Sequence, residues 1–284
     1  LLIGLRNVLK ENVIDYPKKY ILYKSCEMQS SEMYGLGFTL YKQLEDLDIK
    51  RDLSSLTSYD LVVFGSIWRQ KALYFKLLPK LVLSKARMVF IDGEDFNKIF
   101  YWSLPFGKYF KRERRRSFIS LLTKPISFSI PQIKISTSQP NKIKYFATHN
   151  QCEESYKLAE VKKSCRPSYA FDEESEYYKD IALSKFAFTK KKGGWDCLRH
   201  YEIAANGTVP LFYRFTDKPH MCAPHGMVDM HNIVTFNSAE ELSSKLEQIE
   251  REDLYPILRE NALKWVSNNS SEEVALNFLR MFKI

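Results

Sequence analysis

The stretch Ser184–Phe212 reads SKFAFTKKKGGWDCLRHYEIAANGTVPLF. Lys185–Thr189 (KFAFT) has the composition of a strand and Asp196–Asn206 (DCLRHYEIAAN) that of a helix, ended by Gly207; Val209–Tyr213 (VPLFY) is a strand again. A strand that feeds a basic, glycine-bearing loop onto a helix start makes an anion cradle. Free backbone N–H groups and the positive end of the helix dipole then face the space beyond the strand. Lys190, Lys191 and Lys192 add charge there, and Gly193 and Gly194 let the backbone approach a ligand. Asp196 is placed to cap the helix by accepting a free backbone N–H. Trp195, Arg199 and Glu202 recur at spacings of four and three, which predicts one shared helix face. On that face Arg199 suits a diphosphate and Glu202 a ribose or sugar hydroxyl pair. The same residues also read as a solvated turn followed by an Arg199–Glu202 pair. Neither GxGxxG nor GxxxxGKS/T occurs, so the dinucleotide fingerprint and the Walker phosphate loop are both missing.

Outward from this stretch, strand and helix alternate. In the first half Lys19–Lys24 (KYILYK), Tyr59–Phe64 (YDLVVF) and Ala86–Ile91 (ARMVFI) read as strands. Phe38–Leu47, with Leu40, Leu44 and Leu47 at helical spacing, and Leu73–Leu83 read as helices. Continuous rather than alternating apolar strands predict a parallel sheet covered on both faces, with its ligand crevice beyond the carboxyl ends of the strands. Gly65-Ser66 and Asp92–Asp95 stand at two such ends. A Pro- and Ser-rich stretch with Pro125, Pro131 and Pro140 suggests a boundary, giving domains 1–139 and 140–284. In the second half Lys142–Thr148 and Ile233–Phe236 read as further strands. Glu153–Lys163, Glu176–Ser184, Ser238–Ile249, Asp253–Val266 and Glu272–Phe282 read as helices. The expected fold class is α/β, two Rossmann-like domains facing a cleft, with C-terminal helices.

Composition narrows the function classes. The 284 residues carry a net charge of +9, which suits a partner bearing phosphate or another anion. No apolar run approaches the ~20 residues of a membrane-spanning helix, and Leu1–Leu9 lacks the basic leader and cleavage site of a secretory signal. The five cysteines are scattered without a CxxC pair, which favours a reducing compartment over a disulfide framework or zinc knuckle. The first residue is Leu1 rather than Met, which leaves open that the chain is part of a longer, multidomain protein.

The central stretch resembles the donor-binding signature in the C-terminal domain of GT-B glycosyltransferases, especially the exostosin-like kind. The match consists of Ser184-Lys185-Phe186, Gly193-Gly194, Asp196, Arg199, Glu202, Ala204-Ala205, Gly207 and Pro210. The C-terminal RENALKWV (Arg259–Val266) also looks like the tail of such enzymes. The resemblance covers residues 140–284 and is only general before them.

It implies that the Lys190–Lys192 loop and Arg199 bind the phosphates of an activated sugar donor, and that Glu202 binds its ribose or sugar. It also implies a transfer to a glycan or lipid-linked hydroxyl acceptor, in the cytoplasm or at the inner membrane face. Retaining members often carry a second Glu eight residues on; here Pro210 stands in that place, which favours inversion. Inversion needs a general base from the N-terminal domain. Glu94 and Asp95 are the candidates, ahead of Asp92, although IDGED is equally a cap and turn. Such sites stabilise the leaving phosphate with Arg, Lys and helix ends, so neither a metal nor any other cofactor is expected.

Other candidates are more loosely placed. His220, Cys222, His225, Asp229 and His231 fit no common zinc spacing, and His225 is instead expected in a loop over the donor. His200 is expected to be structural, and His149, with Gly65 and Ser66, to face the cleft. Lys108–Arg116 holds six cations, Lys111 and Arg112 among them, against Glu113 alone. It reads as a solvated face, as a seat for an anionic or lipid-diphosphate acceptor, or as a nucleic-acid contact. Weighed together, a nucleic-acid partner is not expected. Two rivals to the enzyme stay open: a non-catalytic nucleic-acid or anion-binding module, and a degenerate glycosyltransferase-like scaffold.

Overall fold

The computed structural model describes residues 1–138, 140–168 and 170–284. The boundary expected at 139/140 meets position 139, outside the described residues. The first sheet is built from β1 (Leu61–Phe64), β2 (Arg87–Asp92), β3 (Gly107–Lys111) and β4 (Thr123–Pro125). The second contains β5 (Lys144–Phe146), β6 (Ser184–Lys190), β7 (Val209–Tyr213) and β8 (Val234–Phe236). Both sheets are parallel, with their strands in sequence order.

The helices are α1 (Leu2–Leu9), α2 (Lys71–Val82), α3 (Ala159–Ser164), α4 (Glu174–Ala182), α5 (Leu198–Ala205), α6 (Ala239–Arg251), α7 (Tyr255–Ser267) and α8 (Ser271–Arg280). The fold class is therefore α/β with two parallel sheets and helices around them, as the continuous apolar strands require.

Each sheet has apolar cover. One face of the first sheet packs Phe64, Phe90 and Tyr109 against Tyr74, Leu77 and Leu81 of α2. On the other face, Val89, Ile91 and Phe110 meet Leu5 of α1 and Ala275, Phe278, Leu279 and Phe282 at the end of the chain. In the second sheet Phe186, Phe188 and Leu211 pack on Leu242, Leu246 and Ile249 of α6. Its other side is filled by Tyr201, Ala204 and Ala205 of α5 with Ala262, Trp265 and Val266 of α7.

The chain leaves the second sheet after α7 and lays α8 on the first. Gly4 permits this: a Cβ there would sit 1.7 Å from the Ser271 carbonyl oxygen, so only glycine lets α1 lie against the start of α8. Ser270 caps α8 by accepting the Glu273 N–H.

Two expected elements do not form. Lys19–Lys24 is a 3₁₀ turn at Tyr20–Leu22 followed by a single bridge between Tyr23 and Leu44, not a strand. Phe38–Leu47 is not a helix, because Thr39 and Lys42 adopt positive φ (71° and 54°) and Gly35, Leu36 and Gly37 precede them in the same region. Two strands carried no signal in the sequence: β3 opens the basic stretch and β4 the Pro- and Ser-rich one, with Tyr109, Phe110, Lys111 and Lys124 where an apolar run would mark a buried strand. Glu153–Lys163 divides into a 3₁₀ turn and α3.

Candidate functional site

At the carboxyl ends of β5 and β6 lies a small pocket lined by His149, Cys152, Thr189, Lys190, Lys192 and Arg199, with Gln151 and Phe188. Among the described residues, no carboxylate lines it. Arg199 is fixed by three bonds: Nε donates to the Phe188 carbonyl (2.9 Å), Nη1 to the Tyr177 hydroxyl (2.9 Å) and Nη2 to the His149 carbonyl (2.5 Å). The His149 ring bonds through Nδ1 to the Ser168 carbonyl at 2.9 Å. Burial, with Arg199 beside it, lowers the His149 pKa to about 4, so the ring is neutral at pH 7. The Lys192 ammonium is also pushed down, by burial and by the neighbouring Lys190 and Arg199. With Lys190 and Arg199 beside Lys192, the pocket gathers positive charge that no carboxylate among its described lining residues offsets. The Cys152 thiol is pushed up to about 12 by burial, which makes it a wall and not a nucleophile.

Glu202, expected to meet a ribose, is buried and already engaged. Thr39 Oγ1 donates to Oε1 at 2.5 Å and the Tyr177 hydroxyl to Oε2 at 2.7 Å. Burial raises its pKa despite those donors and Arg199. Thr39 belongs to the first half of the chain, so Glu202 ties the segment around residue 39 onto α5. Arg199 and Glu202 do share a face, joined by the Tyr177 hydroxyl. Trp195 does not share it: it precedes α5 and is buried beside Tyr201 and Trp265 in the opposite core.

The glycine loop holds a different anion from the one expected. Glu113, the lone acid of the basic stretch, accepts the Trp195 N–H at 2.8 Å and lies 3.5 Å from the Asp196 N–H. Gly193 and Gly194 make room for side chains of the first half. A Cβ on Gly193 would lie 2.1 Å from Asp95 Oδ2, and one on Gly194 2.4 Å from Glu113 Oε1.

Asp196 does not cap α5. Its carboxylate accepts the Phe128 N–H (2.6 Å) and the Tyr201 hydroxyl (2.9 Å), and burial raises its pKa to about 6. The cap position is Cys197, which makes no side-chain cap bond. Lys191 lies over the Trp195 ring at 5.3 Å, apart from the residues lining the pocket.

Arg112 joins these parts. Its guanidinium donates to the Gly93 carbonyl (3.0 and 2.8 Å), to the Asp196 carbonyl and to Asp95, and it stacks over Phe128. Glu94, the other candidate base, accepts from Ser66 Oγ (3.2 Å) and Arg69 Nε (2.9 Å). Gly65 is exposed, with open space where a Cβ would point. Asp92 is buried, accepts from Trp68 Nε1 and the Tyr109 hydroxyl, and forms an ion pair with the Lys111 ammonium, so it is a structural centre and not a free base.

His225 lies in the loop that meets the segment after β3, where the Ala223 N–H donates to the Arg112 carbonyl and the Cys222 thiol to the Arg114 carbonyl. Burial, with Lys218 and Arg114 nearby, lowers its pKa to about 4. The other residues of that loop diverge. Asp229 accepts the Thr235 N–H and pairs with Lys245, while His231 faces Asn261. His200 is structural as expected, with its ring between Thr189 Oγ1 (2.7 Å) and the Trp195 carbonyl (2.9 Å).

The structure thus forms two groups. His149, Lys190, Lys192 and Arg199 meet in the pocket, and Asp95, Arg112 and Glu113 meet the loop at Gly193–Asp196; Glu94 and Ser66 form a separate pair at the end of β1. Thr39, Tyr177 and Glu113 were missed. Only Glu113 carried a signal, as the single acid among six cations.

Among solved structures the chain is similar to a glycosyltransferase from Rickettsia africae, at 11% identity and a TM-score of 0.54, over 84% of each chain. It is also similar to HepE from Anabaena, solved in complex with UDP and glucose, at 12% identity and a TM-score of 0.50, over 81% of this chain and 80% of that one. The fold is GT-B. At this identity the likeness concerns the fold, and the chemistry has to be argued from the residues. No protein-family profile and no curated protein sequence matches the chain.

Proposed function

We propose that the chain is a glycosyltransferase that moves a sugar from a nucleotide-activated donor to a hydroxyl acceptor, with inversion and without a metal. The observation that carries this is the pocket of Lys190, Lys192, Arg199 and neutral His149, at the strand ends where a parallel sheet presents its ligands. The GT-B fold supports it, as does the exostosin-like spacing of Ser184–Pro210.

The donor diphosphate lies against the three cations, which take up the charge that grows on it as the sugar leaves. The acceptor oxygen bonds to the anomeric carbon. The carbon–oxygen bond to phosphate breaks with its electron pair going to the diphosphate, and the hydroxyl proton passes to a carboxylate. Asp95 fits that task best, because its carboxylate is half exposed and lies against the Gly193 loop, whereas Glu94 is largely covered and sits apart with Ser66 and Arg69. The product belongs to polysaccharide or glycan assembly on the cytoplasmic side.

Thermal shift with UDP, UDP-glucose and GDP tests the donor site. A binder at 100 times its Kd adds about 2.7 kcal/mol of stability. Arg199→Ala and Lys192→Ala are expected to abolish that shift, and Asp95→Asn to keep it while transfer falls by about 10²-fold or more. An unchanged shift in both cation variants would overturn the reading.

The scaffold alternative draws on one observation: Glu202 is spent on Thr39 and Tyr177. It predicts that Glu202→Gln lowers Tm without changing ligand binding.

A further inference from the structure

After β3 the chain runs through Arg114, Arg115 and Arg116, turns at Ile119–Leu122 and enters β4. Around this turn lies an open cleft of about 190 Å³, lined by Lys111, Arg114, Arg115, Arg116, Ser117 and Ser120 among others and, among the described residues, by no carboxylate. Lys111 is buried at one side of it, with its ammonium 2.9 Å from Asp92 and 5.0 Å from the centre of the Phe96 ring. Arg114 is locked by bonds to the Ser120 carbonyl and to the carbonyl and hydroxyl of Thr123. Arg115 and Arg116 are exposed and, among the described residues, have no acidic partner within 4 Å.

On the same turn Phe118 is 82% exposed, Leu121 73% and Leu122 60%. Three large apolar side chains beside unpaired arginines on one short turn would be costly if left in water. An anionic leaflet satisfies both at once, with phosphates at the depth of the guanidinium groups and hydrocarbon just beneath.

We propose that this turn seats the chain on an anionic lipid surface. A lipid phosphate enters the cleft against Arg115 and Arg116, while Phe118, Leu121 and Leu122 pass below the headgroups. The seat stands on the turn itself and is independent of the transfer reaction.

Co-sedimentation of the whole chain with phosphatidylcholine vesicles, with and without phosphatidylglycerol, tests it. The chain is expected to pellet only with the anionic vesicles. Arg115→Glu with Arg116→Glu should reduce the bound fraction at least about tenfold. Phe118→Ser with Leu121→Ser should do the same with every charge intact. Lys162→Glu with Lys163→Glu on α3, the same change of net charge elsewhere, should bind like the parent chain.

Failure to pellet with anionic vesicles overturns the seat, as does an equal loss in the α3 variant. Full binding by the serine variant would reduce the effect to adsorption by charge and also overturns it. So does binding of inorganic phosphate at Arg115 and Arg116 by a chain that ignores vesicles.

Discussion

Asp92 and Lys111 form an ion pair at 2.9 Å with both side chains almost wholly out of water. Asp92 also accepts Trp68 Nε1 at 2.9 Å and the Tyr109 hydroxyl at 2.5 Å, which compensates much of the desolvation of its charge. Lys111 has less support, and burial lowers its pKa. Removing the carboxylate should therefore cost more than removing both charges. Asp92→Asn is expected to lose about 3–5 kcal/mol in urea unfolding, and adding Lys111→Met should recover part of it. A double variant less stable than the single one would refute this account. No pattern in IDGED tells a carboxylate that works in a cleft from one that holds a sheet together. The difference lies in which partners the fold brings up from residues 68, 109 and 111.

At the scale of elements, strands were legible where burial on both faces forces an apolar run, as in β1, β2, β6 and β7. The segment from Phe38 to Leu44 was not, because its neighbours in sequence are buried against different bodies. Phe38 stacks on Tyr177 of α4 and Thr39 reaches Glu202 of α5, whereas Leu40 and Leu44 pack with Ile3 and Tyr23. The positive φ of Thr39 and Lys42 breaks the helical repeat between these contacts, so the helical spacing of the leucines was a coincidence there.

The glycine loop after β6 was legible as a place of close approach, but not in what approaches. Its glycines can be ranked. Glu113 and Arg112 are buried and cannot yield to a Cβ on Gly194, whereas Asp95, half exposed, can swing from one on Gly193. Gly194→Ala is expected to cost about 1–3 kcal/mol and Gly193→Ala less, by chemical denaturation. Gly93→Ala, where the Cβ meets open space, should stay within about 0.5 kcal/mol of the parent.

The whole molecule is joined through more than the glycine loop. Thr39, Arg112 and Glu113 reach from the first half into the second, and α8 returns from the second half to the first. Helical periodicity showed that Glu272–Phe282 would be a helix, but periodicity has no information about which sheet a helix covers. Phe278 packs on Phe110 with ring centres 5.5 Å apart. Phe278→Ala should therefore cost about 3–5 kcal/mol. In native-state hydrogen exchange the loss of protection should fall on β2 and β3 and spare β6 and β7. Equal loosening of both sheets would show that α8 belongs to the molecule at large and not to the first sheet.

That return of α8 reverses the order of completion. Val89, Ile91 and Phe110 are made early, yet one face of their sheet has only the cover of α1 until residues 275–282 arrive. On the ribosome the half that is synthesised first is thus the half that is finished last. An interrupted chain would carry a second sheet with both its helical covers and a first sheet with part of its apolar face open to the nearest sticky partner.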